Sequence, residues 1–105
     1  SQRIADVLVK TPQQAKLGGR LPLDISVVDD AQEPVRAVVP IQVEILDTNN
    51  RPAEFSGFYG AKDGRLTVTA DLASNDSVGQ WTWRVTELAS GITREGKIAV
   101  SQGER

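Results

Sequence analysis

Apolar and polar residues alternate with period two in four segments of this chain. Leu21, Leu23, Ile25 and Val27 share one face, with Asp24 and Ser26 opposite; Ile41, Val43 and Ile45 do the same against Gln42 and Glu44. Leu66, Val68, Ala70 and Leu72 stand against Thr67, Thr69 and Asp71, and Trp81, Trp83 and Val85 against Thr82, Arg84 and Thr86. That period is the mark of a half-buried strand, and no stretch of ten residues shows the 3.6-residue repeat of an amphipathic helix. Three weaker segments join them: "IADVLVK" near the start, the glycine-broken, edge-like "FSGFYG", and the pair Ile98 and Val100 near the end. Seven strands are therefore predicted. In the last of them strict alternation would bury Arg94, so a bulge at Gly96 is expected to reset the phase.

Between the strands lie "DTNNRP" (Asp47–Pro52) and "KDGR" (Lys62–Arg65), rich in residues that tolerate positive φ, with "DDAQEP" and "SNDSVG" doing similar work. Short alternating strands with turn signals every ~8–15 residues predict an all-β, antiparallel β-sandwich. "TPQQAKLGG" (Thr11–Gly19) reads either as one helical turn ended by Gly18-Gly19 or as an extended crossover. "DLAS" and "ELAS" both follow strands, but in different phase: Leu72 is expected to be buried and Leu88 to fold over the end of the sandwich.

Composition narrows the chemistry. The chain has 105 residues, which fits one domain spanning 1–105 that buries about 60–65% of its unfolded surface. It contains no cysteine and no histidine, which removes disulfides, thiolate metal sites and the commonest general base. Catalysis is not expected, and no cofactor is implied. Twelve basic and fourteen acidic residues are scattered without a basic run, so no nucleic-acid partner is expected. Apolar stretches such as Val38-Val39-Pro40-Ile41 fall far short of the ~20 residues of a membrane span, so no membrane insertion is expected. Ser1-Gln2-Arg3 starts without Met and leads at once into a strand pattern, so the chain is expected to be a domain excised from a larger protein.

Several residues are candidates for a site. Trp81 and Trp83 share a face with the other inward residues and are expected to fill the core, with Trp81 nearer the rim. The expected core is Leu23, Ile25, Val27, Ile41, Val43, Ile45, Leu66, Val68, Leu72, Trp81, Trp83 and Val85. Phe55, Phe58 and Tyr59, on an irregular edge, are the predicted binding residues, for a partner strand or a glycan. Asp47, Asn49 and Asp76 are weak calcium candidates at one end, and Asp29, Asp30, Glu33 and Asp63 gather at the other. No D-x-D-x-D-G loop is present and the spacing is what turns require, so no metal site is predicted. Ser56, Ser74, Ser77 and Ser90 have no histidine to activate them and no G-x-S-x-G elbow.

The runs "PLDISVVDDAQEPVRAVVPIQVEILD" and "G-x-L-T-V-T-A-D-L-A-S-N-D-S-V-G-Q-W-T-W-R-V" resemble bacterial immunoglobulin-like domains of the macroglobulin or fibronectin type III style. The resemblance covers about Leu21 to Val100 and implies an immunoglobulin-like β-sandwich. It also implies a non-catalytic structural or interaction module of a larger, extracytoplasmic bacterial protein, with neighbouring domains or other proteins as partners. The alternative is a small carbohydrate- or protein-binding module using Phe55, Phe58, Tyr59 and Trp81. The chain lacks the cysteine pair of antibody domains and the thioester segment of complete macroglobulins, and the resemblance brings no catalytic residue with it.

Overall fold

The computed structural model describes residues 3–103. Ser1 and Gln2, on which the expectation of an excised domain partly rests, lie outside the described residues. Among those described, eight strands and no helix are found: β1 (Asp6–Lys10), β2 (Gln14–Lys16), β3 (Arg20–Val28), β4 (Val39–Leu46), β5 (Gly57–Ala61), β6 (Arg65–Asp71), β7 (Gly79–Glu87) and β8 (Thr93–Ser101). One sheet has the order β1-β3-β6 and the other β2-β8-β7-β4-β5. All pairings are antiparallel except that of β2 with β8.

The alternation explains why the sheets stack. Leu21, Leu23, Ile25 and Val27 of β3 face Ile41, Val43 and Ile45 of β4, with Val68, Ala70 and Leu72 and with Trp81, Val85, Ile98 and Val100, all buried. Their removal from water is the main term holding the sheets together. Over the middle of the larger sheet the outer face is polar: Arg84 bridges Glu44 at 3.6 Å and Glu95 at 3.3 Å, and the Lys97 ammonium donates to the Thr82 hydroxyl at 3.1 Å.

Several sequence expectations meet a different outcome. Of the two alternatives for Thr11–Gly19 the extended one is found: Gln14–Lys16 forms an eighth strand, β2, whose three residues are too few to show a period, and a turn at Leu17–Gly19 follows it. There is no bulge at Gly96: the β7–β8 register runs unbroken from Gly79↔Val100 to Thr86↔Thr93. Arg94 keeps its phase because it lies at the open margin of the sandwich, where its guanidinium pairs with the Asp6 carboxylate of β1. The tryptophans are reversed: Trp81 is 1% exposed while Trp83 is half-buried. The 72–78 connection covers Trp81, whose indole N–H donates to the Ser77 carbonyl at 3.0 Å, whereas β1 stops at Lys10 and leaves Trp83 beside an open recess. Finally, Leu88 is 45% exposed instead of closing the sandwich end, since the tight turn after β7 carries it outward. Leu66, on the edge strand β6, is half-buried and packs against the core from its border.

Candidate functional site

A polar cleft opens at the end of the sandwich where β3 runs into β4 and β5 turns into β6. Its construction begins with Asp63 and Gly64, whose φ angles of 53° and 72° make the two-residue turn that matches the twist of a hairpin. Gly64 is buried, and its position admits no side chain. A Cβ there would lie 2.8 Å from the Val27 carbonyl oxygen and 2.9 Å from that of Val35. Its carbonyl accepts from the Val27 N–H at 2.7 Å, while its own N–H is shared between the Ala37 and Ala61 carbonyls, each at 3.2 Å. The hairpin tip is thereby pinned beneath the 29–38 connection.

This junction sets six charged side chains around one open cleft of about 1040 Å³: Asp29, Glu33, Arg36, Lys62, Asp63 and Arg65, with Pro34. Lys62 and Arg65 are bridge partners across the turn, so their side chains stand directly opposite each other. Like charges in that relation, with Cβ atoms about 4.5–5.5 Å apart, repel. Neither makes an ion pair among the described residues. Of the acids, Asp29 is engaged in its own loop, where its Oδ1 accepts from the Ala31 N–H at 2.9 Å and the Glu33 N–H at 3.0 Å. The arrangement is a pair of like charges across the turn in a cleft that Arg36 also lines, with Asp29, Glu33 and Asp63 on the same open mouth.

The residues singled out in the sequence are placed elsewhere. Phe55 and Tyr59 are half-buried and pack against the core, with the Tyr59 hydroxyl donating to the Phe55 carbonyl at 2.6 Å, whereas Phe58 points outward and is 73% exposed. Alternation in β5 turns Phe58 outward and Tyr59 inward, and Phe55, just before the strand, also packs inward, so the three rings do not form a common surface. Trp81 offers no ring face to a ligand. The Asp47 Oδ1 accepts from the Asn49 and Arg51 N–H groups at 2.8 and 3.0 Å, and the Asp76 Oδ2 from the Ala73 N–H at 2.9 Å; these oxygens serve their own turns. Among the described residues no three His, Cys, Asp or Glu side chains come together as a metal site. Lys62 and Arg65 were legible only as flanks of the "KDGR" turn. The signal was there, because a two-residue hairpin loop puts its flanking residues opposite one another.

No protein-family model matches the chain, and no curated protein matches it. Solved structures do. A superoxide reductase (neelaredoxin) from Ignicoccus hospitalis superposes with a TM-score of 0.64 at 14% identity, covering 93% of this chain and 82% of that one. A CARDB domain from Pyrococcus furiosus, solved in complex with di-metal ions, gives 0.57 at 16% identity, covering 96% and 92%. The PKD domain of an M14-like peptidase from a Thermoplasmatales archaeon gives 0.51 at 11%, covering 90% and 91%. The chain is an all-β sandwich of the immunoglobulin-like type.

At these identities the likeness is one of fold. It nevertheless corrects the functional expectation. The resemblance to immunoglobulin-like domains implies a non-catalytic structural or interaction module, with a small carbohydrate- or protein-binding module using Phe55, Phe58, Tyr59 and Trp81 as the alternative. The neighbours sharing this fold include superoxide reductases, which are enzymes. The scaffold itself therefore does not mark a non-catalytic module.

Proposed function

We propose that this chain binds a small anion in the end cleft, between Lys62 and Arg65 and facing Arg36. The observation that carries the reading is the opposition of Lys62 and Arg65 across the turn, with no ion pair to either among the described residues. A bound anion would convert that repulsion into two charge-assisted contacts. Two further points support it. The hairpin is pinned by the backbone bonds of Gly64, so the backbone that carries the two cations is in place before any ligand arrives. The superoxide reductases of the same fold act, by their name, on an anion, so a site for a small anion is compatible with this scaffold. Within immunoglobulin-like sandwiches we further assign the chain to the macroglobulin or fibronectin type III style, on the strand-exit pattern of its sequence, and to an extracytoplasmic location.

Titration with inorganic phosphate, followed by backbone amide NMR at fixed ionic strength, tests the binding. Shifts are expected to concentrate at residues 33–36 and 62–65 with a common millimolar midpoint, and to vanish in Lys62→Ala and Arg65→Ala. Shifts spread evenly over the exposed cations of the chain, or surviving both substitutions, would overturn the reading.

A further inference from the structure

We infer that the free edge of β5 pairs with β5 of a second copy of this chain, extending the larger sheet across a two-fold axis. The backbone fixes which groups are available. Pro40 offers its carbonyl to Leu88 on the β7 side, and Ile45 offers its own to Ala53 on the β5 side, so the odd-numbered residues of β4 bond towards β5. Ile41 and Val43 therefore engage Tyr59 and Gly57, and the N–H and C=O groups of Phe58 and Gly60 point away from the sheet. β5 ends the strand order, and Gly57–Ala61 contains neither charge nor proline, the usual devices that keep an edge from pairing.

The occupant follows from self-complementarity. Antiparallel pairing centred on Tyr59 sets Phe58 of each copy opposite Gly60 of the other, and these two residues carry the free groups. Phe58 is a fully presented ring, 73% exposed. Gly60 is a bare floor on the same outer face, flanked by Pro40, its partner in β4, and by Val38, itself 71% exposed, whose Cγ1 lies 3.1 Å from where a Gly60 Cβ would be. Each ring thus lands on the glycine and apolar floor of the other copy, twice by symmetry, as aromatic residues cover glycines across strands. Charge agrees: the nearest charged residue before the run is Glu54 and the nearest after it is Lys62, so an antiparallel copy brings acid towards base at both ends. A ladder this short buries less than the roughly 1,200 Å² of a standard stable interface, so association is weak and concentration-dependent.

Sedimentation velocity over a concentration series is expected to show a monomer–dimer equilibrium with a micromolar or weaker constant, and Phe58→Ser to abolish it. Because the chain has no cysteine, Tyr59→Cys supplies a single thiol at the two-fold axis, expected to form a disulfide-linked dimer, whereas Thr67→Cys on the exposed edge of β6 is not. Amide exchange at Phe58 and Gly60 should slow as concentration rises. A chain that stays monomeric at high concentration, or a dimer indifferent to Phe58→Ser, would overturn the inference; neither outcome bears on anion binding at Lys62 and Arg65.

Discussion

Gly96 and Trp83 share one volume. They are register partners in β7 and β8, and a Cβ on Gly96 would come within 2.7 Å of the indole ring. The glycine that suggested a bulge is instead the floor on which a half-buried ring lies. Gly96→Ala is expected to cost about 1–3 kcal/mol by overpacking and to displace the ring outward. Urea unfolding gives the cost, and acrylamide quenching should rise for Trp83 while the indole of Trp81 stays protected. Unchanged quenching would mean that the ring does not rest on Gly96. The sequence showed that both tryptophans lie on the inward face. It could not show which is more exposed, since that depends on where β1 ends and on how the 72–78 connection crosses the sheet.

The turn after β7 shows what a strand exit can hide. Glu87 continues the inward phase of Trp81, Trp83 and Val85 and is fully buried. Its two carboxylate oxygens accept from the Ala89 N–H at 2.7 Å and the Ser90 N–H at 2.6 Å, closing the turn from inside. In the matching "DLAS" stretch the acid is exposed and pairs with Arg20 at 3.4 Å, and Asp76 supplies the oxygen for the Ala73 N–H. Two near-identical tetrapeptides thus take different structures because their phase differs. Removing both acceptors in Glu87→Ala should cost about 1.5–3 kcal/mol for each bond to the carboxylate that is lost, with Glu87→Gln intermediate because its one oxygen keeps one bond. Equal urea midpoints for the two variants would show that the carboxylate does not hold the turn. The inward phase of Glu87 could be read from the sequence, whereas the amides awaiting it could not.

Across the whole molecule, side-chain alternation made the sandwich legible, and its core follows from residues such as Leu23, Ile41 and Val85. What stayed hidden depends on distant partners: β2 is three residues long, and Arg94 finds Asp6 across the sheets. That ion pair links the two layers but sits half in water, so a double-mutant cycle on Asp6→Ala and Arg94→Ala is expected to give a coupling of only ~0.2–1 kcal/mol, weakening with salt. A larger, salt-insensitive value would mean that the sheets depend on it. The parallel pairing of β2 with β8 has a different kind of consequence. Gln14–Lys16 joins Ala99–Ser101, and the Leu17 N–H donates to the Ser101 carbonyl at 2.9 Å, so β2 leaves the ribosome well before the strand it pairs with. Such long-range closure is slow because the intervening loop must be ordered first. Until synthesis reaches β8, the β2 segment travels without its strand partner, and a nascent chain halted before it remains open to proteases at Gln14–Lys16.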